Sequence, residues 1–282
     1  MVLTMTRRMV SAERPEDESG AQYHIQCRKG DVAKYVLLPG DPGRVPIISS
    51  KWDSFKVVAQ HREYVTHTGT YKGVPISCTS TGIGGPSSAI ALEELLRVGA
   101  DTFIRVGSSG ALQSHIGVGD VIITAGAVRM EGTSLQYVWQ GYPALANYEV
   151  LQALVEGAES LGVKYHVGVT ASTDSFYLGQ GRPGFKGYMT HQASHLLDDA
   201  KAAGILNFEM EAATILTLAS LYGARAGVVC AVLASRERDE FVAGAGVEDA
   251  VRVGNEAVRI LSSWDAEKAK KGRRYFFPSL LE

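Results

Sequence analysis

Between Gly179 and Gly184 the chain reads "GQGRPG", a G-x-G-x-x-G spacing of the kind that grips the pyrophosphate of a dinucleotide. That chemistry needs a strand before the glycines and a helix opening on them. Here Pro183, Gly184 and Gly187 crowd the place where the helix must begin, and the preceding "ASTDSFYL" ends in bulky aromatics rather than a Val/Ile run. The spacing therefore does not carry a dinucleotide site. What remains is a loop with Phe176, Gln180 and Arg182, an aromatic face, an amide and a guanidinium that together suit a planar polar ring.

Three other stretches have residue types fit for chemistry. In "LLPGDPGRV", Gly40 lets the backbone approach a ligand after a strand, Asp41-Pro42 sets a turn, and Arg44 follows; backbone N–H groups and a guanidinium together suit an oxyanion. In "FIRVGSSGA", Arg105 lies inside an apolar strand, where an unpaired charge costs several kcal/mol, so it must meet an anion or a carboxylate. Gly107, Ser108, Ser109 and Gly110 follow as a small-residue turn rich in donors, and Arg62 in "QHREY" is a further basic candidate. In "FEMEAAT", Glu209 and Glu211 flank Met210 where a strand passes into a helix, a place that favours carboxylates and lets them accept from sugar hydroxyls. Singly, each also fits a plain role: a solvated turn, a structural salt bridge, an acidic helix start. Three anion- or sugar-friendly segments at strand ends are more telling together.

These segments need a scaffold that gathers strand ends. From Lys34 onward β-like runs alternate with helical patterns. "KYVLLPG", "VPISCTSTG", "DTFIRVG", "GDVIITAGAV", "YHVGVTAS" and "ARAGVVCAVLA" read as strands, and "SSAIALEELLRVG" as a helix capped by Ser87 or Ser88 and closed by Gly99. "NYEVLQALVEGAESLG", the segment after "LNFE" and "VEDAVRVGNEAVRILSSW" are further helices. No linker or repeat interrupts them, so the expected fold class is α/β: a single domain with a central mixed, partly barrel-like sheet flanked by helices. The expected limits are a flexible segment at 1–22, the domain at 23–264, and a basic, aromatic tail at 265–282. With 282 residues, 45% of them apolar, there is ample chain for such a core.

The net charge of −2 supplies no field to draw nucleic acid or an anionic membrane. No apolar run approaches bilayer length, and the first 22 residues lack the apolar segment of a secretory signal, so a cytoplasmic location is expected. Cys27, Cys78 and Cys230 are odd in number and far apart, and read as reduced thiols rather than disulfides or zinc ligands.

Taken in order, "LLPGDPGRV", "TGIGGPSSAIALEEL", "FIRVGSSGAL", "VGDVIITAGAVR" and "NFEMEAAT" resemble the nucleoside phosphorylases of the trimeric and hexameric α/β type, from about Lys34 to Arg236. "TASTDSFYLGQGR" and "AVLASRERDE" look most like the branch that cleaves uridine. The resemblance implies reversible phosphorolysis of uridine, with deoxyuridine and thymidine as further substrates, to the free base and (deoxy)ribose 1-phosphate in pyrimidine salvage. It implies inorganic phosphate as co-substrate and no organic cofactor. It also implies phosphate contacts from Gly40, Arg44, Arg105 and Ser108, and from Arg62 lent by the neighbouring subunit. Met210, Glu211 and Ser108 then hold the ribose, with His24 reaching it from the partner. Phe176, Gln180 and Arg182 read uracil, with Ser109, Gly110, Glu209 and Arg236 beside the base. Glu63 falls where some members bind a monovalent cation such as K+ between subunits. The implied assembly is a homodimer, in a hexamer built as a trimer of dimers.

Side-chain chemistry runs parallel. Uracil shows an acceptor–donor–acceptor edge, which a Gln amide and an Arg match. As the glycosidic bond breaks, negative charge grows on the base and positive charge on the ribose, so a fixed guanidinium at the base stabilises the transition state. Purine-cleaving relatives carry Ser-Asp where this chain has Ser235-Arg236, and that Asp protonates a purine. Ser108-Ser109 stand where uridine-cleaving members often have threonines. The alternatives are a purine nucleoside phosphorylase, a nucleosidase that uses water, and a noncatalytic nucleoside-binding protein.

Overall fold

Alternation of side chains along β-strands decides how this chain layers. In the computed structural model, which describes residues 8–281, β1 (Tyr35–Leu38) turns Val36 and Leu38 to one face and Leu37 to the other, and all three are fully buried. Such two-sided burial marks a strand covered by helices on both faces. The remaining strands are β2 (Ser54–His61), β3 (Tyr64–Tyr71), β4 (Val74–Thr79), β5 (Thr102–Ala111), β6 (Val121–Met130), β7 (Ala144–Leu145), β8 (Tyr165–Thr173), β9 (Asn207–Glu209), β10 (Arg225–Ser235) and β11 (Glu240–Phe241). The helices are α1 (Arg44–Ser49), α2 (Gly85–Arg97), α3 (Tyr148–Leu161), α4 (His191–Ala202), α5 (Ala212–Leu221) and α6 (Val247–Lys270).

The strands form one mixed sheet in the order β11-β10-β6-β8-β9-β5-β1-β4-β3-β2, with β7 beside β6. A further pairing of β10 with β5 closes β5, β9, β8, β6 and β10 into a five-stranded barrel. The central strands β4, β1, β5 and β10 run parallel, whereas β9 lies antiparallel to β5. This is the expected α/β fold with a partly barrel-like sheet. Helices α2 and α5 cover Val36, Leu38 and Phe103 on one face, and α3 and α6 cover Leu37, Ile104 and Val106 on the other.

Several local expectations are corrected. The stretch Gly107–Gly110 is not a turn: β5 continues through it to Ala111, paired with β10 along its length. Neither Ser87 nor Ser88 caps α2, which starts at Gly85-Pro86 after Gly84 at φ 95°, while Gly99 does close it at φ 107°. The hairpin of β2 and β3, and helices α1 and α4, stand in segments the sequence reading left unassigned.

The first seven residues of the expected flexible segment lie outside the described residues. From 8 to 22 the chain makes turns closed by a bridge between Glu16 and Gln22. The boundary drawn at 264 falls inside α6, and the chain beyond it turns back so that Phe276 stacks on Trp264 at 3.8 Å between ring centroids.

Candidate active site

The carboxyl ends of β1, β5 and β10 and the β9–α5 junction enclose a cavity of about 630 Å³. One end is built for an anion. Past β1, Gly40 approaches Gly82 so closely that an added Cβ would lie 3.0 Å from the Gly82 carbonyl oxygen. Asp41 accepts from the Gly43 N–H at 2.8 Å, folding the chain into α1 and placing Arg44 at its first position. The Arg44 guanidinium donates to the Val106 carbonyl at 3.0 Å. Burial, and then the neighbouring charge of Arg105, push Arg44 below its ordinary pKa.

Arg105 is 3% exposed. Its Nε donates to Glu209 Oε2 at 2.9 Å and its Nη2 pairs with Glu211 Oε2. Burial opposes its charge, but the two carboxylates prevail and hold it well above its ordinary pKa. Its Nη1 is buried with no partner among the described residues, near the position a Cβ on Gly40 would occupy. An orphaned buried donor is expensive. Arg105 lines the cavity beside Gly40, so an anion bound at this end would supply the partner that Nη1 lacks.

The middle of the cavity is lined by Ser108, Met210 and Glu211. Glu211 Oε1 accepts from the Gly84 N–H at 2.6 Å. Burial raises its pKa, Arg105 opposes that rise, and Glu209 adds to it.

At the far end, a 3-10 turn at Leu178–Gln180 and Gly181 at φ 65° present the expected loop, and no α-helix opens on its glycines, only a second 3-10 turn at Phe185–Gly187. Gln180 is buried; its Nε2 donates to Thr173 Oγ1 at 3.3 Å and its Oε1 accepts from Arg182 Nη1 at 2.5 Å. The Arg182 guanidinium also donates to the Phe176 carbonyl at 2.8 Å and sits 4.0 Å from the Phe176 ring centroid. Burial, followed by the charge of Arg236, lowers its pKa to about 10. Ser109 and Gly110 complete this end, with Arg182 Nη2 3.6 Å from where a Gly110 Cβ would stand.

Not every expected residue meets the cavity. Arg236 stands behind it, donating to the carbonyls of Gln180 at 2.7 Å and Gly181 at 3.3 Å, so it props the loop. Glu209 lines the wall, yet its carboxylate is engaged by protein donors. Arg62, at φ 54° in the β2–β3 turn, lies against the Tyr23 ring at 5.7 Å and contributes nothing to this chain's cavity. His24 pairs with Glu94 at 2.7 Å and lies outside it as well. Glu63 does line it.

The sequence reading missed Ile83, Leu233 and Phe241 on the apolar wall, and Ser172 behind Glu209. Ile83 carried a signal, since an apolar residue between the glycines of "TGIGGP" has no core to enter; it is 78% exposed. Burial raises the thiols of Cys78, Cys27 and Cys230, the last to about 12, so all three are protonated at neutral pH. Among the described residues no cluster of His, Cys, Asp and Glu suits a metal ion, and no helix is long and apolar enough to cross a membrane.

Residues 34–262, which hold the closed barrel and the cavity at its strand ends, match the phosphorylase superfamily, and the chain belongs to it. Among individual relatives, the uridine phosphorylase of Thermococcus kodakarensis is 63% identical over 276 residues, 98% of this chain and 99% of that protein. The uridine phosphorylase of Escherichia coli K12 is 43% identical over 78% of this chain and 88% of its own length. A guanosine phosphorylase of Halorubrum lacusprofundi is also 43% identical, over 75% of this chain and 82% of its length.

Proposed function

We propose that this chain is a uridine phosphorylase, a pentosyltransferase that reversibly cleaves uridine with inorganic phosphate to give uracil and ribose 1-phosphate, in pyrimidine salvage. The observation that carries the reading is one cavity with chemically distinct ends. The free Nη1 of Arg105, with Arg44 and the Gly40 backbone, suits phosphate, and the Gln180–Arg182 pair suits the edge of a pyrimidine-2,4-dione.

In the reaction, phosphate held by Arg44 and Arg105 attacks the anomeric carbon while Glu211 and Met210 hold the ribose. Positive charge growing on the sugar is balanced by the phosphate. Negative charge growing on the base meets Arg182, whose guanidinium is half-buried and lies over the Phe176 ring. A fixed charge in a desolvated site gains most when its counter-charge appears, so the leaving base is stabilised in the transition state more than in the ground state. No organic cofactor enters this chemistry. Deoxyuridine and thymidine belong to the same substrate class, because the base edge they present is the same.

Arg62 and His24 lie near one another on a face outside this chain's cavity: His61 Nδ1 meets the His24 carbonyl at 3.0 Å, and Arg62 donates to Tyr23 at 3.3 Å. That placement supports the reading that they complete a neighbour's site in a homodimer, the unit of a hexamer, with Glu63 beside a K+ site between subunits. Three buried, unpaired thiols accord with a reducing cytoplasm.

The guanosine-cleaving relative makes purine cleavage the second reading. Arg236, in the place of a purine-protonating Asp, favours uracil. The deciding assay follows base release from uridine, thymidine, inosine and guanosine, with and without phosphate. Uracil release that depends on phosphate, and slow release of purines, is the expected result. Equal rates without phosphate would make the protein a hydrolase, and faster release from guanosine would reverse the base assignment.

A further inference from the structure

Glu209 lines the cavity, yet its two oxygens accept four hydrogen bonds from the protein. Oε2 accepts from Arg105 Nε and from the backbone N–H groups of Glu211 and Ala212, each at 2.9 Å. Oε1 accepts from Ser172 Oγ, and that hydroxyl in turn accepts from the Ala213 N–H at 2.8 Å. Ser172 and Glu209 are directly paired residues of β8 and β9, and Ser172 is fully buried and does not touch the cavity.

We infer that Glu209 and Ser172 act as a positioning pair that aims Arg105 at phosphate and Glu211 at ribose, and that Glu209 does not read the base. A guanidinium is planar and rigid, so fixing two of its nitrogens fixes the direction of the third. Glu209 takes Nε and Glu211 takes Nη2, which leaves Nη1 directed to the phosphate end. The same carboxylate gathers the first N–H groups of α5, the segment that carries Glu211, and a carboxylate is favoured at a helix N-terminus. Ser172 locks this arrangement from the barrel wall. Were Glu209 neutral, Arg105 would have Glu211 as its sole carboxylate, and a bidentate pair between them would withdraw both from substrate.

This inference rests on the proposed phosphorolysis, and its test separates the two. Ser172→Ala and Glu209→Gln are compared with wild type for phosphate KM, kcat, inhibition by free uracil, the uridine-to-5-methyluridine ratio of kcat/KM, and the rise in Tm that phosphate induces. Misaiming Arg105 and Glu211 predicts a phosphate KM raised about tenfold and a kcat reduced about tenfold to a hundredfold. Uracil inhibition and the uridine-to-5-methyluridine ratio, which differ from wild type only if the base is read differently, stay unchanged, and the phosphate-induced Tm rise shrinks. A changed base ratio or weakened uracil inhibition in Glu209→Gln would make Glu209 a base contact and overturn the assignment. So would wild-type kinetics in Ser172→Ala, or equal damage to both ends with a large fall in Tm. Should Glu209→Gln not fold, Ser172→Ala decides alone, because it removes a single hydroxyl. If wild type does not cleave uridine at all, the proposed function fails, while the phosphate-induced Tm rise still reports whether the pair aims Arg105.

Discussion

Arg182 concentrates the leaving-group chemistry in one side chain. It donates to Gln180 and to the Phe176 carbonyl, stacks on the Phe176 ring, and is disfavoured by burial and by Arg236. A half-buried cation held this way regains stability when uracil departs as an anion. Arg182→Ala is therefore expected to lower kcat on uridine by about two to three orders of magnitude, with a smaller change in phosphate KM, read by steady-state kinetics varying each substrate in turn. Nearly intact kcat would remove Arg182 from the base end. Residues of this kind were legible in the sequence because their types are improbable where they stand: Arg105 in an apolar strand, and Gln180 and Arg182 in a loop that cannot be a helix start. Ser172 was not legible. A serine in "TASTDSF" carries no local oddity, and its importance arises from register between β8 and β9, which no single segment reveals.

At the scale of elements, β5 runs on as strand through Gly107–Gly110, where a small-residue turn is expected from the sequence. Its residues Gly107–Gly110 stay in the ladder with β10 because small residues let the backbones run close while leaving room for large groups above. Gly107 shows the constraint: a Cβ there would lie 2.7 Å from Arg105 Nη2 and 2.8 Å from Cys230 Sγ. Neither neighbour can yield freely, since Arg105 is pinned by two carboxylates and Cys230 is fully buried. Gly107→Ala is expected to cost about 1–3 kcal/mol of stability through overpacking. It should also raise phosphate KM about tenfold by turning Arg105, checked by denaturant unfolding beside phosphate titration. Unchanged phosphate KM would mean that the guanidinium tolerates displacement. A run of Gly and Ser reads as a turn from propensity alone. The tertiary ladder with β10 overrides that reading, whereas the apolar strands β1, β6 and β10 were legible because burial on both faces leaves a continuous signature.

For the molecule as a whole, the chain beyond residue 264 is fastened to the face of the sheet covered by α3 and α6, and none of its described residues lines the cavity. Glu149 accepts from Lys268 at 2.6 Å, from Arg225 at 3.0 Å and from the Phe276 N–H at 2.8 Å, while Asp265 pairs with Arg225 at 2.7 Å and Lys268 at 2.9 Å. Burial works against both carboxylates, yet these cationic partners hold both below their ordinary pKa. A carboxylate whose folded pKa is depressed lends stability above its unfolded value, near 4, and that contribution is lost as pH falls below it. Tm should therefore be flat through neutral pH and fall steeply below about pH 4. Deleting residues 275–282 removes the Phe276 ring from Trp264, buried Leu280 and one donor to Glu149. By comparison with the loss of a core aromatic, that deletion is expected to cost about 3–5 kcal/mol, or roughly 10 °C in Tm. At 25 °C, with the fold still populated, uridine kcat and phosphate KM should match the full chain, because the fastening and the cavity belong to different parts of the molecule. Calorimetry and steady-state kinetics on the same preparation test both halves of this expectation. Impaired catalysis at a temperature where the truncated chain is fully folded would show that the tail communicates with the site.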